Sequence, residues 1–387
     1  MARVIIVGAG IGGLAATVAL EQAGFEVCAI ERAPRFGEVG AGVQLGPNAT
    51  RVLVRLGMDE DVRHFGVAPS HVSLLRWRDG KTLATTPMAK VESVFGAPYR
   101  TMYRPDLINT LSARASTAQI KLGVAASTVT ESLERPAVVL SDGTVEVGDL
   151  IVGADGIHSA VRAQTVGDVA PQFSGMSAYR ALIPRELLDF DDEVRNWMGP
   201  GRHLVAYPVG AGSAYLNVVA VVPEHDLTAE SWTMLGSADD LRDQFDGWCE
   251  AVQQILGAVR DPVYRWALYD RDPLPHWSTA TTTLLGDACH PMLPFFAQGA
   301  AQAIGDAAAL SQALLASPDD LASSLKRYER PRQNHTAQIQ RLSWGNNVVY
   351  HLPDGPQQCE RDAFLSASSS LDTLSWLYGN DPFALPD

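Results

Sequence analysis

Four glycines near the amino terminus stand at positions suited to holding a phosphate chain. Gly8-Ala9-Gly10-Ile11-Gly12-Gly13 reads G-x-G-x-x-G. In such a turn Gly8 permits the tight bend, Gly10 lets a pyrophosphate approach the backbone, and Gly13 lets helix and strand pack closely. The preceding RVIIVG is a short β-branched run, the pattern of a strand buried on both faces. GLAATVALEQAG reads as a helix closed by Gly24, and FEVCAIE as a second buried strand ending in Glu31. Glu31 stands about where an acceptor for a ribose 2′-hydroxyl belongs. This βαβ unit predicts a bound dinucleotide, its phosphates on a helix N-terminus where free N–H groups and the dipole favour an anion. The alternative is a glycine-rich core turn.

Two further stretches carry acids at the mouths of buried strands. In DLIVGADGIHSAVR (149–162), Asp155-Gly156 begins a turn into a helix. Asp155 is a candidate ligand for a ribityl or phosphate-linked group, directly or through water, or else a plain helix N-cap. In TTTLLGDACHPMLPFFAQGA (281–300), Asp287 closes a strand at its carboxyl end, where ligands sit in parallel α/β sheets. A Pro-bounded loop and a small-residue helix follow. That helix begins near Gln298-Gly299-Ala300, and its dipole would stabilise an anionic reduced flavin. The glycine-rich segment 32–58 also suits a large flavin better than a nicotinamide alone. Only one dinucleotide fold is expected. Gly210-Ala211-Gly212 precedes an obvious strand and reads as a hairpin turn, so a nicotinamide would visit transiently.

The elements that must position these residues follow. Segments 1–70, 96–170 and 271–345 read as one discontinuous FAD-binding domain. Segments 71–95 and 171–270 read as a β-sheet substrate domain with a helical stretch at 235–258, and 346–387 as a helical C-terminal segment. On the strand RHLVAYPV, His203 and Tyr207 are four apart and share a face. The chain has 44 acidic and 30 basic residues among 387, a net charge of −14. That argues against nucleic-acid binding and against docking on anionic lipid. Four scattered cysteines without a CxxC fit neither a disulfide framework nor a zinc site, and point to a reducing cytoplasm. The uncharged runs 4–20 and 288–305 are broken by glycines and prolines and read as no membrane span.

GAGIGG with its downstream Glu31, GADGIHSAVR and LLGDACHPMLP, in this order, resemble the class A, single-component FAD-dependent aromatic hydroxylases. YRPDL and YDRDPLPHWS are also in family style, and the similarity runs from residue 2 to about 345. The nearest branch holds salicylate hydroxylase, 3-hydroxybenzoate 6-hydroxylase and 6-hydroxynicotinate 3-monooxygenase. The resemblance implies an α/β fold, with a Rossmann-like FAD-binding domain of the p-hydroxybenzoate-hydroxylase type and a β-sheet substrate domain. It implies tightly bound FAD held by Gly8, Gly10, Gly13, Glu31, Arg32, Arg104, Asp155, Asp287, Gly299 and Ala300. NADH or NADPH would reduce the flavin, and O2 would add to give a C4a-hydroperoxide that hydroxylates an electron-rich ring. His203 and Tyr207 would serve catalysis. Gln44, Tyr179, Pro294 and Phe295 would join them in binding substrate.

Departures from the family pattern bear on the substrate. The hydroxynicotinate enzymes carry histidines where this chain has Gln44 and Phe295, and relatives often carry an acid where it has Gly305. Arg180 and Arg202 are candidate carboxylate clamps, with solvent-facing charge as the competing reading. His290 is expected beside the ribityl site in a structural role. The leading expectation is hydroxylation of a small phenolic or hydroxylated N-heteroaromatic acid, salicylate-type first and 6-hydroxynicotinate next. The others are a flavin oxygenase or epoxidase of a larger natural product and a non-catalytic flavin sensor. No metal and no macromolecular partner is expected beyond a monomer or homodimer.

Overall fold

Arg3–Val7, Glu26–Glu31, Leu150–Gly153 and Thr282–Leu284 are short, apolar and almost wholly buried, as strands covered on both faces must be. In the computed structural model, which describes residues 2–36, 41–131, 135–224, 235–368 and 371–385, they form a parallel sheet with Gln119–Leu122. Its order is Thr282–Leu284, Leu150–Gly153, Arg3–Val7, Glu26–Glu31, Gln119–Leu122. The register aligns Val7 with Gly153 and Gly153 with Leu284. The loops carrying the glycine turn, Asp155 and Asp287 therefore leave the sheet side by side, at the carboxyl ends of its strands. Residues 37–40 of the glycine-rich segment and 369–370 of the expected C-terminal helix lie outside the described residues.

The second sheet has eight strands and is mostly antiparallel. Its centre is Gln172–Pro184, Tyr215–Pro223 and Arg202–Val209, with Val263–Asp270 on one side and Val194–Gly199 on the other. His71–Arg76 joins it by parallel pairing with Val194–Gly199, and Thr82–Pro87 forms one edge and Leu235–Gly236 the other. One face buries Tyr179, Ile183, Leu204 and Leu216 with Leu241 and Val252 of the helices Ala238–Asp243 and Glu250–Ala258. The other face, with Ala178, Val219 and Val221, packs on Leu293 and Phe295 from the loop after Asp287. Strand alternation thus assigns each side chain of this sheet either to the helices or to the FAD-binding half.

Helix Gly299–Ala316 packs against Ile11–Gln22 so closely that a Cβ on Gly12 would lie 2.9 Å from the Ala303 methyl. Helix Leu321–Tyr350 runs without interruption past the expected domain limit at 345, carrying Pro331 within it. Its polar residues fasten the loop after Asp287. Gln340 Nε2 donates to the Pro291 carbonyl (2.9 Å), Ser343 Oγ to that of Leu293 (2.8 Å) and Asn346 Nδ2 to that of Phe295 (2.9 Å). The final turn Ser375–Tyr378 buries Leu377 and Tyr378.

Candidate active site

Glycine is required at two points of the first turn. Gly8 has φ +102°, and a Cβ there would lie 2.3 Å from the Ala154 carbonyl oxygen. A Cβ on Gly13 would lie 1.8 Å from the Gly8 oxygen. Gly10 faces open space, and helix Ile11–Gln22 begins with neither a side-chain cap nor an acid in its first turn. Its first N–H groups and dipole are thus available to an anion. Glu31 braces this turn: Oε2 accepts from the Ala9 N–H (2.8 Å) and Oε1 from that of Ala33 (2.9 Å). Each oxygen keeps a further lone pair for a ribose hydroxyl. Arg32 follows, exposed.

Arg104 opens helix Arg104–Arg114, and among the described residues its guanidinium has no hydrogen-bond partner. Burial lowers its pKa, against the pull of Asp287 and Glu31. Asp287 is exposed by area yet lies deep in the fold, where burial raises its pKa despite His290 and Arg104. A Cβ built on Gly299 would be 3.9 Å from Asp287 Oδ1, which places that acid at the start of helix Gly299–Ala316. This helix also lacks a side-chain cap, leaving the amides of its first turn, Gly299 and Ala300 among them, free. A deep cation without a hydrogen bond, an accessible deep carboxylate and two uncapped helix starts converge along one edge of the sheet. That donor set fits a dinucleotide carrying a pyrophosphate, a polyol chain and an anionic ring edge.

The N-cap of helix Ala160–Thr165 is Ser159, and Asp155 braces it. Its Oδ2 accepts from the Ala160 N–H (2.7 Å) and its Oδ1 from the Ser159 hydroxyl, while Ser159 Oγ accepts from the Arg162 N–H (2.9 Å). Its Cα abuts the site of a Cβ on Gly8 (2.9 Å), so the brace fixes the loop beside the glycine turn. Arg162, buried, ties this loop to the Asp287 turn by donating to the carbonyls of Ile157 (3.0 Å) and Ala288 (3.2 Å).

The Asp287 turn is held by a buried ionic network that sequence reasoning missed. Asp306 Oδ2 accepts from the Gly286 N–H (2.9 Å) and meets His290 Nε2 (2.6 Å), while Oδ1 receives Arg332 Nε (2.7 Å). His290, expected in a structural role beside the ribityl site, is thus tied to Asp306. Cys289 also approaches this pair, and Arg332 already neutralises the carboxylate through Asp306 Oδ1. Gly305 leaves room for the same arginine, since a Cβ there would be 3.3 Å from Arg332 Nη2.

On the sheet face turned to this edge stand His203, Tyr207 and Arg180. His203 is 2 % exposed, with its ring edge-on to Phe295 (centroids 5.2 Å apart) and its Nδ1 2.7 Å from His351 Nε2. Tyr207 approaches strand Gly42–Leu45 so closely that a Cβ on Gly42 would be 2.5 Å from its ring. Burial pushes its phenol up to about 12, and the Gln44 side chain, which accepts from the Tyr99 hydroxyl (2.6 Å), opposes that shift. Pro294 and Phe295 form the short 3-10 turn facing the sheet.

Tyr179 is corrected. It points to the opposite face, packed by Gly236 and under the Arg265 guanidinium (5.4 Å from the ring centroid). Its neighbour Arg180 takes the pocket face instead, stacked on Trp266 at 4.2 Å. Burial lowers Arg180 to about 10 with no described carboxylate beside it, and its Nε has no hydrogen-bond partner. The solvent-facing reading of Arg180 is thereby replaced. Arg202 donates to the Gln244 carbonyl and is no clamp.

Comparison with known proteins agrees with this geometry. Residues 1–343 match the family described as FAD binding domain. The chain is 37 % identical to 3-amino-4-hydroxybenzoate 2-monooxygenase of Streptomyces cremeus, over all of this chain and 96 % of that one. It is 35 % identical to 3-hydroxybenzoate 6-hydroxylase 1 of Aquipseudomonas alcaligenes, over 98 % of each. The chain belongs to this family of FAD-dependent aromatic monooxygenases. A salicylate hydroxylase solved as a substrate complex superposes with a TM-score of 0.82 at 25 % identity, over 100 % of this chain and 98 % of that one. The monooxygenase fold, with its Rossmann-like FAD-binding half and helical C-terminal segment, is as the motifs led one to expect. No helix among the described residues is long and apolar enough to cross a membrane.

Proposed function

We propose that the protein is an NAD(P)H-dependent hydroxylase of a small phenolic acid, and that Arg180 receives the substrate carboxylate. The observation that carries this is Arg180 itself: a desolvated cation on the pocket face, backed by Trp266 and lacking an anion. Burying a charge is costly unless it is paired, so a partner must be expected from the ligand. The relatives named for hydroxybenzoates act on ring acids of this class.

FAD fits the edge described above, with Gly8, Gly10, Gly13, Glu31, Arg32 and Arg104 on its ADP half, Asp155 bracing the loop beside it, Asp287 on the ribityl chain, and Gly299 and Ala300 at the ring. Bound there, it supplies electron transfer from NAD(P)H and oxygen transfer from O2. The protein's own residues do the rest. Arg180 holds the ring by its carboxylate. Tyr207, oriented by Gln44, and His203 lie on the same face and hydrogen-bond the ring oxygen or move its proton, because a phenolate is the more reactive nucleophile. Pro294 and Phe295 close the pocket with apolar surface. A phenyl ring at 295 favours a benzoic over a pyridine acid, which keeps salicylate-type substrates ahead of 6-hydroxynicotinate.

The test is NADH and NADPH oxidation by the FAD-loaded protein in air, against salicylate, 3- and 4-hydroxybenzoate, 6-hydroxynicotinate and larger phenols, with product masses. Stimulation by one small acid and gain of one oxygen atom is the expected result. Gain of oxygen with loss of carbon dioxide would define a decarboxylative hydroxylase. Stimulation only by bulky phenols lacking a carboxylate would overturn the proposal.

A further inference from the structure

We propose that the C-terminal turns Leu371–Leu374 and Ser375–Tyr378 form a wall of the substrate cavity, and that Trp376 limits how far an aromatic acid can extend away from its carboxylate. This rests on the reading above, that a phenolic acid binds with its carboxylate on Arg180.

The sheet fixes the frame. Arg180, Val219 and Val205 stand in one row across neighbouring strands, with their side chains on the face turned to the FAD-binding half. Two strand spacings put Val205 about 10 Å from Arg180. Val194 and Val72 pair on the next two strands, farther still from the arginine. The residues that cover this far end come from the C-terminus: Leu374, Trp376 and Leu377 belong to one apolar cluster with those three valines. Arg180 and the C-terminal turns thus stand at opposite ends of the same face.

The space between them is not filled. Val205, Met292 and Phe296, between the two halves of the fold, keep part of their surface exposed, as does Trp376. They border open space rather than packed core. The Trp376 ring stacks on Phe296, inclined by 10° with centroids 6.4 Å apart, and Phe296 belongs to the turn Pro294–Phe296 that faces the sheet. His335, from helix Leu321–Tyr350, meets Trp376 edge-on at 5.7 Å. The indole is held from two sides and continues the apolar surface that Phe295 begins.

The wall is anchored. Arg51 Nη1 donates to the Asn380 carbonyl (2.7 Å) and Nη2 to that of Tyr378 (3.2 Å). Arg55 holds the Asp381 carboxylate through both Nη atoms (3.0 and 2.9 Å) and lies over the Phe383 ring. Gly305 gives Pro382 its seat, since a Cβ there would be 3.3 Å from Pro382 Cγ. Both arginines belong to helix Pro47–Arg55, which follows the strand bearing Gln44. A wall fixed in this way selects by size. One ring fits between Arg180 and Trp376, and a second ring fused on the edge away from the carboxylate meets the indole.

The test compares salicylate with 3-hydroxy-2-naphthoate, which is salicylate with a second ring fused on the edge opposite its carboxylate and hydroxyl. Each is titrated into the FAD-loaded enzyme. Binding is read from the flavin absorbance, and turnover from NADH or NADPH oxidation with product mass. Trp376→Ala opens the wall, and Trp376→Phe keeps most of it. Arg51→Met releases the turns without altering the indole, and reports on the wall even if Trp376→Ala does not fold. The naphthoate-to-salicylate ratio of affinities and of kcat/KM should rise roughly ten- to a hundredfold in Trp376→Ala. It should rise several-fold in Arg51→Met and stay near wild type in Trp376→Phe. A loss of stability alone lowers both substrates together and leaves the ratio unmoved. An unchanged ratio in folded Trp376→Ala or in Arg51→Met, or a wild-type preference for the naphthoate, would overturn the wall. Failure of wild type to bind either acid would overturn the phenolic-acid reading, and the wall with it.

Discussion

Replacing Arg180 by methionine separates substrate binding from stability. In the ligand-free enzyme the guanidinium is held charged at a site that lowers its pKa from 12.5 to about 10. At roughly 1.4 kcal/mol per tenfold, keeping that charge costs about 3 kcal/mol. Partial exposure and the Trp266 face discount this to about 1 kcal/mol. A folded-state pKa below the unfolded one disfavours the cation at every pH beneath it, so the penalty is fully present at neutral pH. Arg180→Met relieves it while keeping similar apolar bulk on Trp266, and the Tm should rise by about 2 °C. With a carboxylate bound the sign reverses. Removing one partner of a desolvated pair costs up to about 3–5 kcal/mol; with the same threefold discount, about 1–1.7 kcal/mol remains, or roughly 5- to 17-fold in KM. The assay is KM and kcat for the best hydroxybenzoate, alongside the matching phenol without its carboxylate. Wild type should lose the same factor on losing the carboxylate, and the variant should lose nothing further. An unchanged KM for the acid in Arg180→Met would refute the clamp.

Three other perturbations follow from the same contacts. Gly13→Ala forces a methyl to within 1.8 Å of the Gly8 oxygen and should abolish the flavin absorbance of the purified protein; full FAD content would contradict the turn. Asp306→Asn leaves Arg332 and His290 without their buried anion and should cost about 3–5 kcal/mol, read by chemical denaturation. Its positive and hydrogen-bonded neighbours hold Asp306 below the ordinary carboxylate range. The stability it contributes is therefore complete above that range and is lost as pH falls through the lowered value, so the variant should show a flatter acid limb. Tyr179→Phe, on the far face of the sheet, should leave KM for the aromatic acid within twofold; a tenfold rise would contradict the assigned strand parity.

The FAD-binding half was legible because its chemistry is local. A tight turn, an uncapped helix start and an acid at a strand end are each written within a dozen residues, and Gly8, Gly13, Glu31 and Asp287 stand where those rules put them. The substrate face was less legible. Strand Gln172–Pro184 is buried on both sides, and its register shifts between Phe173 and Ser177, so apolar alternation could not tell Tyr179 from Arg180. Asp155 met both of its readings' requirements in sequence, and only its contacts show it bracing the N-cap residue Ser159. His351 and the Asp306–Arg332 pair left no local signal. Their partners lie 148 and 26 residues away, joined by a helix whose length past residue 345 the sequence did not reveal.

The most direct test of the whole account is oxidation of NADH or NADPH by the FAD-loaded enzyme under heavy-isotope dioxygen, with the best small aromatic acid present. The account requires one labelled oxygen atom in the aromatic product for each nicotinamide consumed. Label recovered only in hydrogen peroxide, with the aromatic acid unchanged, would contradict it.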